Sequence, residues 1–172
     1  MIASNFPTTD TMDETQRAFR EAMAALAATA CVVTAADGET RVGRTVTAAL
    51  SLAVAPPSLL VSVDAGAHLA SLIRARGGFS FAMLQADQQS VAEAFAGSVA
   101  AERRFDHGAW TAWPSGHPRL RGAMVAIDCK LAGEIETADH VLFVGHPNHI
   151  DLADVRRPLV WHDRRFSTVR PL

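Results

Sequence analysis

The sequence lacks the short motifs that mark the commonest nucleotide, metal and redox sites. It contains no G-x-G-x-x-G and no P-loop, so neither a dinucleotide fingerprint nor a phosphate loop of that kind is present. It contains no C-x-x-C, which argues against a zinc ribbon and a thioredoxin-type site. No serine lies in a recognisable nucleophile elbow. Nothing in the sequence therefore points to acid–base or covalent catalysis by side chains.

Cysteine, long apolar runs and clustered basic charge are also scarce. Cys31 and Cys129 both lie in apolar, strand-like segments, so buried thiols in a reducing compartment explain them better than a disulfide. No apolar run could span a bilayer, and the segment MIASNFPTTDTMDE lacks the basic and apolar regions of a secretory signal. With a net charge of −2 and no basic patch, a nucleic-acid partner is not expected. We expect a cytoplasmic protein that binds neither nucleic acid nor membrane.

The chain is long enough for one domain with a full-sized core. At 172 residues, almost half of them apolar, it hardly allows two domains. We expect residues 1–10, which are polar, to form a flexible tail, and residues 11–172 to form a single domain.

The stretch from Gly43 to Asp64 organises the rest of the chain. Its first half alternates like one strand over residues 43–50. One face is apolar and the other carries hydroxyls: Val42, Val46, Ala48 and Leu50 against Thr45, Thr47 and Ser51. The pair Pro56-Pro57 ends the pattern, and residues 59–63 predict a second strand that is buried on both faces.

The row of hydroxyls has two interpretations. Threonines are good strand formers whose hydroxyls can simply meet water. A row of hydroxyls beside an otherwise apolar sheet would also suit a polar, planar ligand. The residues of this stretch leave both open and favour the first.

The flanking segments predict a mainly β protein with inserted helices. Thr11 and Glu14 form a capping box for a helix that reaches about Thr29, with an apolar face formed by Phe19, Met23 and Leu26. Asp37-Gly38 predicts a hairpin, and a short helix is expected to end at Gly77-Gly78.

The second half of the chain alternates strands with connections. We expect Asp87 to cap a further helix, residues 102–105 to lie in a polar connection, and the segment up to Pro118 to form a long surface loop. Strands are predicted at residues 31–35, 79–84, 122–134, 140–144 and 158–161. Because a βα alternation is absent, these elements favour a small antiparallel barrel over a doubly wound sheet.

Histidines near the C-terminus raise the question of a metal site. His146 and His149 have Asp151 close by. On a strand a separation of three residues places side chains on opposite faces, although a loop could bring them together. We expect surface histidines there and no metal site.

Seven segments, covering about residues 18–166, together form a specific pattern. They are FREAMAALAATACVVTAADG, GRTVTAALSLAVAPPSLLVSVD, FSFAMLQADQQSVAEAFAG, RRF, GHPRLRGAMVAIDCKL, DHVLFVG and PLVWHDRRF. In this order they resemble the short-chain flavin reductase family. The resemblance implies an antiparallel Greek-key split β-barrel of the FMN-binding type.

The resemblance also implies a homodimer with a flavin groove near the subunit interface. It reverses the preference stated above for the row of hydroxyls, and favours contact with a ligand over contact with water. The residues that it implies along the isoalloxazine ring are Thr45, Val46, Thr47 and Ala48, with Ser51 nearer the ribityl or phosphate end. Its residues on the phosphate side are Asp64, Phe95, Arg104 and Phe105. His140 is similar to a family histidine near the docking position of the nicotinamide.

One segment departs from the family pattern. The loop after the second strand usually carries Ser or Asn, and here it reads Ala65-Gly66-Ala67. Backbone amides, His68 or Arg44 could replace the missing anion contacts, because arginine binds phosphate well. Phe95 and Phe105 could instead be core residues alone, and for Phe95 the core interpretation is favoured.

The resemblance implies an oxidoreductase that uses NADH or NADPH to reduce FMN or FAD. It would supply the reduced flavin to a separate monooxygenase. Hydride transfer to a flavin asks the protein mainly for a cleft that holds two ring systems face to face, so the lack of catalytic side chains fits. The alternatives are a split-barrel protein that holds FMN tightly and acts on an organic substrate, and a non-catalytic flavin-binding module.

Overall fold

Twelve strands and three α-helices make up the described part of the computed structural model, which covers residues 12–38 and 40–170. In chain order they are α1 (Glu14–Ala24), β1 (Ala28–Thr29), β2 (Cys31–Asp37), β3 (Thr40–Val46), β4 (Ala49–Val54), β5 (Pro57–Asp64), α2 (His68–Arg76), β6 (Gly78–Met83), α3 (Gln89–Glu93), β7 (Trp110–Ala112), β8 (Pro118–Leu120), β9 (Val125–Glu136), β10 (His140–Leu152), β11 (Val160–His162) and β12 (Arg165–Ser167). A π-helical turn (Ala94–Ser98) continues α3, and a 3₁₀ helix (Ala101–Asp106) follows it.

The central sheet is rolled into a barrel that is split between β3 and β4. Seven antiparallel strands pair in the order β3-β2-β6-β9-β10-β5-β4. The two edge strands are nevertheless joined by only Thr47 and Ala48. Two intervening residues span at most about 11 Å between the flanking Cα atoms, so the opposite edges must come close together. The predicted antiparallel barrel is confirmed.

Two apolar layers cover the two faces of this sheet. In β2, Cys31 and Val33 point into the barrel interior, where α2 closes the core, whereas Val32 packs in an outer layer. Phe95 and Leu120 belong to that outer layer, which lies under the segment around α3 and under the β7–β8 hairpin. The strand carries apolar residues on both faces because each face meets a layer.

Helix α1 is shorter than predicted. Asp13 caps it, with its carboxylate accepting from the Gln16 amide at 2.8 Å and the Gln16 side chain accepting from the Asp13 amide at 2.9 Å. The predicted cap, Thr11, lies outside the described residues. The helix ends at Ala24 rather than near Thr29 because residues 28–29 pair with β11. Of its predicted apolar face, Phe19 and Met23 are exposed, at 65% and 48%, and Leu26 lies beyond the end of the helix and is 62% exposed.

Two predictions for the organising stretch were wrong. The single strand expected over residues 43–50 is two strands, β3 and β4, which pair with different neighbours. The strand β5 is not buried on both faces, since Leu59, Val61 and Val63 are buried while Leu60 and Ser62 are half-buried. Only one of its faces points into the barrel core.

The segment before Pro118 is a hairpin rather than a surface loop. Strands β7 and β8 pair, and the turn between them inserts Trp113 and His117 below the surface. The Trp113 indole donates to the Ser80 hydroxyl at 2.9 Å, and the Ala36 amide donates to His117 Nδ1 at 3.3 Å.

One smaller prediction also failed. Asp87 does not cap α3, whose N-terminal flanking residue is Gln88 and which has no side-chain cap. Residues 102–105, predicted to lie in a polar connection, form most of a 3₁₀ helix between α3 and β7. By contrast, α2 ends at Gly77 in the left-handed conformation, as predicted.

His146 and His149 are exposed, as predicted. The ring of His149 stacks on Trp113, and Asp151 pairs with Arg119 at 2.5 Å. No group of metal-ligating side chains suited to an ion occurs in residues 12–38 and 40–170. Both cysteines are buried free thiols, and burial raises the pKa of each to about 12. In the same residues no helix is long and apolar enough to cross a membrane.

Candidate functional site

Two cavities meet at Thr47, where the barrel is split. The first has a volume of about 650 Å³ and the second about 590 Å³. Thr47 is exposed and lines both. Together they are large enough for two ring systems and a polar tail.

The first cavity is mostly apolar and opens toward the barrel interior. Phe81, Met83 and Ile127 reach it from β6 and β9, and Leu50 and Val54 from β4. Its polar side chains include Thr29, Thr47, Ser51 and Ser58. Such a lining suits a flat, weakly polar ring system held at its rim by hydroxyls.

The second cavity has more polar side chains in its lining than the first. One wall is β3, and the opposite walls are α3 with its π-helical turn and the β11–β12 hairpin. Its polar side chains are those of Thr45, Thr47, Gln89, Glu93, Ser98, Arg164 and Arg165, and its aromatic ones are Trp161 and Phe166. The arginines are paired with carboxylates, Arg164 with Glu21 and Arg165 with Asp163, so the hydroxyl and amide groups of this lining suit a hydroxylated ligand.

The segment Thr45–Ala48 lies at this junction. The Thr45 hydroxyl donates to the carbonyl oxygen of Ala92 at 2.7 Å, which fastens β3 to α3. The carbonyl oxygen of Ala48 accepts from the Ser62 amide at 2.9 Å, which holds the start of β4 against β5. Both bonds fix the backbone on either side of Thr47.

A second group of predicted residues lies behind β3. The Arg104 guanidinium donates to the Gly43 carbonyl oxygen at 3.1 Å, and its Nε is buried without a partner among the described residues. Burial, and then the charge of Arg44, lower the pKa of Arg104. Arg44 is exposed on the same strand. Neither arginine lines the two cavities.

The two predicted phenylalanines pack with this group. Phe95 is completely buried and meets Phe105 edge to face, with ring centroids 5.0 Å apart. A Cβ on Gly43 would lie 2.6 Å from the Phe95 ring, so glycine lets the ring approach β3. The Phe105 ring carries the Arg41 guanidinium at 4.4 Å. In this conformation Phe95 is a core residue that supports the cavity wall.

A third group gathers where β5 and β10 pair. His140 lies opposite Asp64 in the register, and the Asp64 carboxylate accepts from the Gly66 amide at 2.8 Å. His140 Nδ1 is 3.0 Å from Asp139, and this contact lowers the pKa of Asp139. His68 is exposed at the start of α2.

The third group is near the split but outside both cavities. The Ser62 amide bonds to Ala48, and Asp64 is two residues further along β5. Because His140 lies opposite Asp64, it is about 7 Å along the strand from that hydrogen bond. Asp64, His68 and His140 do not line either cavity. The structure therefore brings Thr45–Ala48 and Ser51 together and leaves the other predicted residues in two separate groups.

Sequence reasoning missed the side chains that face β3 across the second cavity. These are Gln89, Glu93, Ser98, Arg164 and Arg165. The polar run HDRR between two short apolar segments indicates a connection, but it lacks the Gly or Asn that is typical of a two-residue hairpin turn. No local pattern shows that the turn faces β3.

Comparison with known proteins gives the family. The model described as "Flavin reductase like domain" matches residues 23–170. The reductase component of an FADH(2)-dependent resorcinol hydroxylase from Rhizobium sp. (strain MTP-10005) is 34% identical, covering 89% of this chain and 87% of that protein. An FMN reductase (NADH) from Cronobacter sakazakii (strain ATCC BAA-894) is 31% identical, and the match covers 91% of this chain and 95% of that protein.

A solved structure agrees with both relatives. The styrene monooxygenase flavin reductase from Pseudomonas putida S12 superposes with a TM-score of 0.78 at 26% identity, covering 90% of this chain and 97% of that one. By its sequence and its fold, the chain belongs to the flavin reductase-like domain family.

Proposed function

We propose that this protein uses NADH or NADPH to reduce FMN or FAD and passes the reduced flavin to a separate monooxygenase. The observation that carries the proposal is the pair of cavities that meet at Thr47, which together have room for two ring systems and a polar tail. The first cavity, lined mainly by apolar side chains, suits the flat ring system of a flavin, and the second has hydroxyl and amide side chains that suit its hydroxylated tail. The similar reductase component of the resorcinol hydroxylase and the styrene monooxygenase reductase support the partner.

The chain's own residues bind and orient in this proposal. The nicotinamide supplies a hydride to the flavin ring, so the protein need not provide a nucleophile. Thr45, Val46, Thr47 and Ala48 hold the ring by backbone and hydroxyl contacts, and Ser51 contacts the same molecule from β4. Their backbone is fixed by the Thr45–Ala92 and Ala48–Ser62 hydrogen bonds, which keeps the groove in place between turnovers.

Two outlying groups have supporting roles. His140, held at the end of β10 by hydrogen bonds between its backbone and Thr137, positions the nicotinamide. Arg104, which donates to the Gly43 carbonyl oxygen, and Phe105, which packs on Phe95, fix the rear of β3 so that its front can face the flavin. Asp64 and His68 shape the loop beside His140.

A homodimer is part of this proposal, as is a cytoplasmic location. Exposed apolar side chains lie on β4, where Leu50, Leu52 and Val54 are 53%, 50% and 86% exposed. Phe19 and Met23 are exposed apolar side chains on α1. Several exposed apolar side chains on one strand are typical of an interface. Because β4 borders the first cavity, a second subunit bound there would cover that cavity.

The direct test is to mix the purified protein with each nicotinamide and each flavin and to follow the loss of nicotinamide absorbance. We expect oxidation of NADH or NADPH that depends on added flavin. Protein that keeps its flavin through gel filtration and reduces only that flavin would favour the tightly bound alternative. Flavin binding without nicotinamide oxidation would contradict the proposed activity.

A further inference from the structure

The outer face of the central sheet changes from apolar to polar between two neighbouring rows of side chains. One row across β2, β6 and β9 belongs to the outer apolar layer: Val32, Ala82 and Ala126. The next row, two residues away on each strand, is termed the polar row: Thr34, Ser80 and Asp128. All three of these polar side chains are buried, so each needs a hydrogen-bond partner from the element that covers it.

The β7–β8 hairpin supplies these partners. Its hydrogen bonds to the polar row join the Thr34 hydroxyl to the Pro118 carbonyl oxygen at 3.2 Å, the Trp113 indole to Ser80 at 2.9 Å, and the Ser115 hydroxyl to the Asp128 carboxylate at 2.7 Å. Its strands have three residues each, and a hairpin of two short strands is marginally stable by itself in water. The hairpin is therefore held by its docking contacts, and water can replace the polar ones.

His117 docks the turn of the hairpin in its neutral form. The Ala36 amide donates to His117 Nδ1 at 3.3 Å, so Nδ1 carries no proton in this arrangement. An imidazolium has an N–H at both ring nitrogens, and its Nδ1–H would meet the Ala36 N–H instead of accepting from it. The ring is also packed closely, because a Cβ on Gly78 would lie 3.1 Å from His117 Nε2.

The surroundings of His117 disfavour the imidazolium as well. Burial has the largest effect and lowers the pKa of His117; Arg76 on α2 lowers it further, whereas Asp128 on β9 raises it. Two further ion pairs involve these elements and the hairpin: Arg76 with Asp37 at the end of β2, and Arg119, the other charged residue of the hairpin, with Asp151 on β10. A proton on His117 therefore costs free energy while the turn is docked and little once the turn is in water.

We propose that the β7–β8 hairpin, residues 110–120, is an acid-operated flap that leaves the polar row when His117 takes up a proton, while the seven-stranded sheet stays folded. A histidine in water titrates near pH 6.5. The docked state is therefore fully favoured above that pH. The preference is lost as the pH falls from there toward the lower pKa of docked His117.

The hairpin is connected to the second cavity through the outer apolar layer. Trp110, the first residue of β7, packs on Phe95 with ring centroids 5.3 Å apart. Phe95 lies in the π-helical turn that continues α3, and α3 holds β3 through the Thr45–Ala92 hydrogen bond. The open form should therefore bind flavin more weakly than the docked form. The opening itself is independent of the proposed function, whereas this effect on flavin rests on it.

Hydrogen exchange of the protein alone, read by mass spectrometry at about pH 7.5, 6.5 and 5.5, tests the opening. Protection factors, which correct for the pH dependence of the chemical exchange rate, are compared for residues 110–120 and for β6 and β9. We expect protection of residues 110–120 to fall by up to about tenfold per pH unit below pH 6.5, the limit for uptake of one proton. Protection of β6 and β9 should stay within about twofold over the same range.

Three variants separate His117 from other causes. His117→Asn keeps an acceptor for the Ala36 amide and does not titrate, so protection of its hairpin should be independent of pH. The matched control is His149→Asn, which removes an exposed histidine that stacks on Trp113 and should keep the pH dependence of the parent. Ser115→Ala, at an exposed position, should lower protection of the hairpin about tenfold at every pH and keep the parent's dependence; it tests the docking contacts if His117→Asn does not fold.

The connection to the cavity is tested by adding FMN at about ten times its dissociation constant near pH 7.5. If only the docked form binds FMN, protection of residues 110–120 should rise by about tenfold. Unchanged protection of the hairpin with FMN bound would overturn the connection. A parent that binds no flavin would contradict the proposed function, and the exchange of the protein alone would still decide the opening.

Equal protection of residues 110–120 at all three pH values would overturn the flap. The parent's pH dependence in His117→Asn would do the same, because the proton would then bind elsewhere. A parallel loss of protection in β6 and β9 would show that the whole domain opens in acid, which also contradicts a local flap.

Discussion

The Thr45 hydroxyl donates a hydrogen bond to the carbonyl oxygen of Ala92, at a distance of 2.7 Å. Two residues later, Thr47 is exposed and lines both cavities. The hydroxyls that form one row in the sequence therefore have different surroundings in the structure. Thr45 holds β3 to α3, whereas Thr47 faces the space between the cavities.

We predict that Thr47→Val weakens flavin binding and leaves the fold intact. Valine keeps the β-branched shape, so only the hydroxyl is removed. The loss of one hydrogen bond should cost roughly 0.5–1.5 kcal/mol, or up to about tenfold in affinity. Fluorescence titration with FMN measures the effect, and parent-like affinity would reduce Thr47 to a strand former.

Thr45→Val is the matched variant. It removes the same group from a position where the hydroxyl is already bonded to α3. We expect a free energy of unfolding lower by about 1 kcal/mol, measured by urea denaturation, and no such loss in Thr47→Val. Equal stability of both variants would contradict the division of the hydroxyl row.

The sequence predicted the barrel better than the boundaries within it. Alternation and turn residues locate the strands, and the absence of a βα rhythm gives an antiparallel architecture. Alternation cannot show that a strand changes neighbours at Thr47–Ala48, because both halves keep the same local pattern. The β7–β8 hairpin was missed for a similar reason, since Trp113 is buried by contact with the distant Ser80.

The candidate site was predicted only where it is local in sequence. Thr45–Ala48 is one continuous segment, and the structure places it at the split, where both cavities reach it. Arg164 and Arg165 reach the same cavity because β11 pairs with β1 and β12. That proximity is made by long-range pairing, which no window of the sequence contains.

We predict that the protein is a dimer that buries the exposed face of β4. An interface that completes a site should cover on the order of 2,000 Å². Leu52, which lines neither cavity, is half-exposed on that strand, and Leu52→Glu should shift the protein toward monomer in light scattering. A monomeric parent that is active at micromolar concentration would refute the dimer.

The thiols of Cys31 and Cys129 should be inert in the folded protein. Burial raises the pKa of each to about 12, so at pH 8 only about one in ten thousand would be thiolate. Ellman's reagent should label neither thiol in buffer and both in urea. Rapid labelling in buffer would show that one of the two strands opens.

Stability should fall in mild acid partly because of His117. Desolvation, the largest effect, lowers the pKa of this 3%-exposed side chain; Arg76 lowers it further, and Asp128 raises it. An unfolded histidine titrates near pH 6.5. As the pH falls through that value the unfolded chain binds the proton first, and the stability present above it is lost toward the lower, folded pKa.

The control for that effect is His117→Asn, which keeps an acceptor for the Ala36 amide and does not titrate. Urea denaturation at pH 7 and pH 5 should show a smaller loss of stability in the variant than in the parent. An identical pH dependence in both proteins would assign the acid sensitivity to other groups.

The last prediction concerns His140, the first residue of β10. Hydride transfer needs no proton donor at the nicotinamide, so we assign this residue to positioning. His140→Ala should leave flavin affinity nearly intact and impair the use of NADH or NADPH. A higher KM alone would mean lost docking, and a lower kcat as well would mean lost alignment. A purely structural histidine predicts the opposite: a lower melting temperature and unchanged kinetics per folded molecule. Steady-state assays beside a thermal melt separate the two, and unchanged kinetics in well-folded His140→Ala would remove the residue from the site.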